Sequence, residues 1–169
     1  MNILLTGGTG FIGSALTNAL IDCGHNCVIY SRQPIGDKPH CQYFQNLNDI
    51  TNDMRFDAVI NLAGASLAGR RWSDAYKNEI FTSRLDTTQE LLTLLRRLPY
   101  KPAVLLNASA VGYYGHHQDE TLDEDGSTNA GFSQSLCSQW EALAQQADTL
   151  GIRVCLLRFG VVLDSDGGA

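Results

Sequence analysis

Short apolar runs alternate with longer stretches of helical periodicity along this chain. Ile3, Leu4 and Leu5 form an unbroken run of strand length. Phe11, Ile12, Ala15, Leu16, Ala19 and Leu20 then recur on one helix face. The pattern predicts a strand over 2–6 and a helix over 11–23, closed by Gly24. Cys27 to Tyr30 read as a second strand, followed by a loop marked by Pro34, Gly36 and Pro39. Residues 41–45 read as a short third strand and Ala58 to Asn61 as a fourth. Ser73 is placed to cap a long helix that reaches Leu98, with Ile80, Leu91, Leu92 and Leu95 on its apolar side. A fifth strand is expected over 103–107 and a polar, acidic loop over 115–127. Phe132, Leu136, Trp140, Leu143, Ala147 and Leu150 stripe a further helix stopped by Gly151, and Ile152 to Leu157 form a sixth strand. Residues 164–169 read as a loop. Strands separated by helices pair in parallel through right-handed crossovers, so the expected fold is an α/β, doubly wound parallel sheet in three αβα layers.

The junction between the first strand and first helix carries the chemistry. Gly7, Gly10 and Gly13 follow the strand directly. A tight turn there aims backbone N–H groups and the positive end of the helix dipole at one point, which suits a phosphate or diphosphate. Gly7 lets the chain turn, Gly10 lets the backbone approach the ligand, and Gly13 lets helix and strand pack. Placed between strand and helix, the motif reads as a dinucleotide site, a Rossmann arrangement. In that fold an acid at the end of strand two selects NAD, whereas an arginine accommodates the extra phosphate of NADP. Here the strand ends Ile29-Tyr30-Ser31-Arg32, and the nearest acid, Asp37, lies beyond Pro34 and Gly36. Ser31 and Arg32 therefore point to NADP(H) over NAD(H), through paired hydrogen bonds from the guanidinium.

Composition narrows the class. With 169 residues, 44% of them hydrophobic, the chain can bury one core, so residues 1–169 are read as one dinucleotide-binding domain. No apolar stretch is of membrane-spanning length and no signal-peptide pattern opens the chain, so no membrane partner and a cytoplasmic location are expected. A net charge of −6 offers no field for polyanions, which argues against nucleic acid. The five cysteines (23, 27, 41, 137 and 155) read as reduced thiols. His116, His117, Asp119, Glu120, Asp123, Glu124 and Asp125 show no fixed ligand spacing, so that stretch reads as a solvated acidic loop with no metal. Arg70, Arg71 and Trp72 fit either an anion clamp or a surface loop.

Three further segments carry a family resemblance. Asn61-Leu62-Ala63-Gly64 resembles the N-x-A-G turn that lies along the cofactor in extended short-chain dehydrogenases/reductases. Leu105 to Gly115, with Ser109, Tyr113 and Tyr114, resembles their fifth strand with its active-site serine and Tyr-Gly. Leu157-Arg158-Phe159-Gly160 resembles the turn near the nicotinamide. The whole chain is similar to the atypical, NAD-dependent epimerase/dehydratase-like branch of that superfamily. The resemblance implies cofactor contacts from Gly7, Gly10, Phe11, Ile12, Gly13, Ser31, Arg32, Asn61, Leu62, Ala63 and Gly64, and substrate contacts from Tyr113 and Tyr114. It also implies a substrate-binding region after the sixth strand. Here the chain ends at Ala169, so that region is expected to be missing, and the exposed sheet edge suggests a homo-oligomer.

Two departures from the family pattern bear on mechanism. The superfamily's Tyr-x-x-x-Lys is absent: setting Trp140-Glu141 against the usual end of that motif puts Ser133 at the tyrosine position and Cys137 at the lysine position. Ser109 also lies one residue further from Tyr114-Gly115 than in the usual serine motif. The expected function is an NADP(H)-binding oxidoreductase or nucleotide-sugar epimerase-like protein that transfers hydride at a carbonyl or hydroxyl carbon of a small molecule. Ser109 would hold the substrate oxygen, and Cys137, with Ser133 or a tyrosine of the Tyr113/Tyr114 pair, would replace the missing proton donor. The rival expectation is a non-catalytic NADP(H)-binding sensor or partner-binding protein.

Overall fold

Strand and helix alternate as the hydrophobic pattern requires. The computed structural model describes residues 1–164 together with 167 and 168; Ser165, Asp166 and Ala169 lie outside the described residues. In chain order come β1 (Asn2–Thr6), α1 (Phe11–Asp22), β2 (Asn26–Tyr30), β3 (Cys41–Phe44), β4 (Ala58–Asn61), α2 (Asp74–Arg97), β5 (Val104–Ala110), α3 (Phe132–Gln145) and β6 (Arg153–Phe159). The six strands form one sheet in the order β3-β2-β1-β4-β5-β6, every pair parallel. The order reverses at β1, where a ligand crevice opens in doubly wound sheets.

Alternation along β1 splits the core in two. Ile3 and Leu5 face α1 and pack with Cys27, Ile29, Cys41 and Ile60 under Leu16, Leu20 and Ile21. Leu4 faces the other way and joins Val28, Val59 and Leu105 beneath α2 and α3, through Leu91, Leu92, Leu95 and Ala144. Three layers result. Ser73 caps α2 as its position predicts, its hydroxyl accepting from the Tyr76 N–H at 3.3 Å. Gly24 and Gly151 stop their helices with φ of +77° each, a region that favours glycine.

The structure corrects the chain's end and two strand lengths. Leu163–Asp164 pairs antiparallel with Gly167–Gly168, so the described part of 164–169 is a short β7/β8 ribbon where a loop was expected. Glycine leaves the pairing to the backbone alone, which no side-chain pattern reports. β5 runs to Ala110 and β6 to Phe159, because the two pair in register over seven residues, Val104↔Arg153 through Ala110↔Phe159. No helix is long and apolar enough to cross a membrane among the described residues.

Candidate functional site

Sheet register assembles the site. Thr6 stands opposite Tyr30 and opposite Asn61, so Gly7, Ser31 and Leu62 leave three neighbouring strands side by side at their carboxyl ends. Gly7 has a φ of +68°, and a Cβ on it would lie 2.6 Å from the Leu62 carbonyl. A Cβ on Gly13 would lie 2.1 Å from the Gly7 oxygen. The turn is therefore closed against both the β4 turn and the helix, leaving no room for side chains. Gly10 donates to the Gly7 carbonyl at 3.0 Å and serves as N-cap of α1 without a side-chain acceptor. The first-turn N–H groups of α1 thus face outward, ready for an anion. Phe11 is exposed and Ile12 half-buried beside them.

Ser31 and Arg32 come next to this turn, as the sequence expects. Ser31 is buried and its hydroxyl accepts from the Gln33 N–H at 3.2 Å. Arg32 is exposed, and no carboxylate pairs with it among the described residues. A hollow of about 490 Å³ lies in the loop that follows, lined by Pro34, Ile35, Gly36, Tyr43 and Phe44, and meets none of the candidate site residues. A second cleft, about 720 Å³, lies at the opposite end of the strands around Asn2, Asn26 and Lys38 and meets none of the candidate site residues. A glycine cradle that Cβ atoms would fill, a free helix end and an unpaired arginine fit a dinucleotide with a phosphorylated adenosine half.

Beneath the cleft lies a buried polar network that the sequence did not reveal. Thr6 Oγ1 donates to Asn61 Oδ1 at 2.5 Å and accepts from the Ala63 N–H at 3.2 Å. Asn61 Nδ2 donates to Asn107 Oδ1 at 2.6 Å and to Thr88 Oγ1 at 2.9 Å, where Trp140 Nε1 also donates at 2.8 Å. The Asn61 side chain is fully buried, so it orders the Leu62-Ala63-Gly64 turn from below. Leu62 and Ala63 are half-buried and Gly64 is exposed.

The catalytic candidates lie on β5 and α3. Ser109 and Cys137 come together, both buried, under the turn at Gly112, where a Cβ would stand 2.9 Å from Ser133 Cβ and 4.0 Å from Cys137 Sγ. Ser109 donates to Glu141 Oε1 at 2.5 Å. Burial pushes the Cys137 thiol up, partly opposed by hydrogen bonds from Ser109 and the Ala110 backbone. Glu141 in turn holds Arg158, from Nε and Nη2 at 2.9 Å each. The Arg158 guanidinium lies 3.6 Å from the Tyr113 ring centroid and donates to Tyr114 Oη at 2.9 Å. Its own pKa is raised, chiefly by Glu141. Tyr113 and Tyr114 are half-buried at the lip of the site.

Glu141 and Arg158 are the residues that sequence reasoning passed over; Arg158 sits in a segment that carried the resemblance, and Glu141 beside the position of the absent Tyr-x-x-x-Lys. The loop after Tyr114 is partly tied down: His117 bonds Glu120 at 2.7 Å and the Tyr114 carbonyl at 3.1 Å. Trp72 meets Phe132 edge-on at 5.4 Å, and its Nε1 donates to the Leu67 carbonyl. Arg70 pairs loosely with Glu79 at 3.7 Å, and Arg71 is exposed.

Comparison with known proteins agrees with this geometry. Residues 3–163 match the family described as the NAD dependent epimerase/dehydratase family. An epimerase family protein of Staphylococcus saprophyticus is 44% identical over 172 residues, covering 98% of this chain and 57% of the relative. The human epimerase family protein SDR39U1, solved with NADPH, superposes with a TM-score of 0.85 at 34% identity, over 100% of this chain and 57% of that one. A nucleoside-diphosphate sugar epimerase of Corynebacterium glutamicum gives 0.81 at 31% identity, over 99% of this chain and 35% of that one. The chain thus spans little more than half the length of the staphylococcal and human proteins.

Proposed function

The chain belongs to the NAD-dependent epimerase/dehydratase family, and from that premise we propose that it is an NADP(H)-dependent oxidoreductase of epimerase type acting on a small molecule, with nucleotide sugars the preferred class. One observation carries the reading: the side-chain-free glycine turn stands beside Ser31 and Arg32 at the end of β2. The NADPH in the human relative's structure supports the cofactor, and the name of the Corynebacterium relative supports the substrate class.

Each residue has a task in this reading. Gly7, Gly10 and Gly13 admit the diphosphate to the N–H groups of Phe11, Ile12 and Gly13. Arg32 grips the adenosine phosphate, with Ser31 beside it. Leu62, Ala63 and Gly64, ordered from below by the buried Asn61, form the bed on which the second half of the cofactor rests. When bound, the nicotinamide supplies or accepts a hydride at a carbonyl or hydroxyl carbon. The substrate oxygen must then gain or lose a proton, and Tyr114 is the group placed to exchange it. Its oxygen accepts from Arg158 and its own O–H remains to meet the substrate. Charge developing on that oxygen would lie against a fixed cation. Ser109 and Cys137 support this pair from beneath, Ser109 through Glu141 and Cys137 by packing under Gly112.

A second reading, a cofactor-binding protein without turnover, is favoured by one fact: both Ser109 and Cys137 are buried. Mass spectrometry of the purified protein decides between them. Co-purified NADP(H) with a bound sugar nucleotide, followed by turnover of that compound, supports the enzyme. Binding of neither NADPH nor NADH would overturn both readings.

A further inference from the structure

A cation that no carboxylate among the described residues pairs with stands at the β4–α3 side of the site. Arg84 projects from α2, half-buried, with Nη1 donating to the Ile80 carbonyl at 3.0 Å and Nη2 to the Ala65 carbonyl at 3.2 Å. Its guanidinium carbon lies 5.4 Å from the Trp140 ring centroid. Gly64 marks the closest approach of the β4 turn: a Cβ there would stand 2.7 Å from Arg84 Cζ. Among the described residues no carboxylate pairs with Arg84. Cys137, on the same α3 face as Trp140, feels its charge.

Such a placement is costly. Desolvating a guanidinium without an opposite charge is unfavourable, and burial here lowers the Arg84 pKa. Guanidinium carries five N–H donors, and two of them are spent on Ile80 and Ala65. Three remain. The direction of the cleft says what they face. Arg32 marks the adenosine end at β2 and the glycine turn marks the diphosphate at β1, so the remaining half of a dinucleotide runs over β4 toward β5. That path passes the turn at Gly64, against which the Arg84 guanidinium packs.

We propose that Arg84 is a cofactor ligand that holds the oxygen acceptors of the nicotinamide–ribose half, above all the ribose hydroxyls, from below the β4 turn. The inference rests on the dinucleotide reading given above. It assigns Gly64 a reason as well: any side chain there would displace the guanidinium. It also accounts for a site that has no lysine on α3, since the positive charge arrives from α2.

The test separates the two halves of the cofactor. Wild type, Arg84→Lys and Arg84→Met are titrated with NADPH and with adenosine 2′,5′-bisphosphate, which carries the adenosine end alone. The expected result is a loss of about 10- to 100-fold in NADPH affinity for Arg84→Met, the range for hydrogen bonds to a charged group, with bisphosphate affinity unchanged. Arg84→Lys should recover part of the loss. Unchanged bisphosphate binding also shows that each variant is folded. Equal losses for both probes, or no loss for either, would overturn the proposal while leaving the dinucleotide reading intact. A wild type that binds neither probe would overturn that reading and this inference with it.

Discussion

Glu141 and Arg158 hold each other through two parallel hydrogen bonds, Nε to Oε1 and Nη2 to Oε2, both 2.9 Å, across the gap between α3 and β6. The pair is buried on the acid's side and nearly so on the base's, with side-chain exposures of 5% and 17%. Through it pass Ser109, Tyr113, Tyr114 and the Glu124 carbonyl, which Arg158 also reaches at 2.8 Å. One ion pair thus orders the whole lip of the site.

Removing one partner strands the other. Glu141→Ala should cost roughly 3 kcal/mol in urea unfolding, the lower end for a broken buried pair because Arg158 keeps some solvent. A Glu141→Leu/Arg158→Met double variant should recover most of that stability while losing the order of Tyr114. A double variant no more stable than Glu141→Ala would show that the pair is not the source of the loss.

Gly7 and Gly13 of the first turn should not tolerate even a methyl group. Gly13→Ala sets a Cβ 2.1 Å from the Gly7 oxygen, and Gly7→Ala adds a positive φ to a clash with Leu62. Both should abolish NADPH binding and lower the melting temperature. Gly24→Ala is the control: its φ is +77° but nothing lies within 4 Å of the added atom. It should cost only about 1 kcal/mol of backbone strain and leave binding untouched. Gly13→Ala with normal NADPH affinity would show that the turn can shift.

The contrast shows what the sequence could carry. Gly7, Gly10 and Gly13 act within a dozen residues, so spacing alone revealed their turn, and the capping role of Ser73 was equally local. Ser109 and Glu141 are 32 residues apart, and only the packing of the crossover helix α3 against β5 decides that the hydroxyl meets a carboxylate. The same holds for Asn61, whose amide is spent on Thr88 and Asn107 beneath the turn it precedes. The ends of β5 and β6 run past their apolar stretches because strand length is set by the partner, through Ala110↔Phe159, and not by the apolar run. Arg84 was invisible for a simpler reason: on a mostly polar helix, one arginine among several looks solvated.

Cofactor choice should follow Arg32. Its guanidinium is exposed and unpaired with any carboxylate among the described residues, so NADPH should bind more tightly than NADH. Arg32→Ala should weaken NADPH by on the order of 1–3 kcal/mol and leave NADH nearly unchanged, as expected for loss of a charged hydrogen bond. Fluorescence titration with both cofactors measures it. Equal affinities in the wild type would remove Arg32 from the phosphate.

Alkaline pH should destabilise the fold through its buried thiols. Cys27 and Cys137 are both pushed above the ordinary thiol value of 9.0, burial being the main cause in each. Below that value the native and unfolded chains both keep these protons, and stability is at its full level. Above it the unfolded chain releases them while the native one does not. Stability is therefore lost as pH climbs through the raised native values. Urea midpoints followed from about pH 8 to 10.5 should fall, and Cys27→Ala or Cys137→Ala should flatten the fall by removing a linked proton. An unchanged slope in both variants would exclude the thiols as its cause.

Turnover should separate the tyrosine from the thiol. Tyr114 Oη is fixed by Arg158 at the lip of the site, whereas Cys137 lies under Gly112 with its thiol held protonated by burial. In a form that turns over substrate, Tyr114→Phe deletes the exchangeable proton but keeps the ring that faces Tyr113 at 5.4 Å. It should reduce kcat roughly a hundred- to ten-thousand-fold with NADPH affinity unchanged, the range for lost acid–base help. Cys137→Ala should keep kcat within a few-fold and chiefly lower stability, as the loss of a small buried group does. Ser109→Ala should act as a positioning change: by freeing Glu141 Oε1 it loosens Arg158, lowering kcat less than Tyr114→Phe does and shifting its pH profile. The opposite ranking, with Cys137→Ala the severe variant and Tyr114→Phe the mild one, would return proton transfer to the thiol and require the turn at Gly112 to lift from it during catalysis.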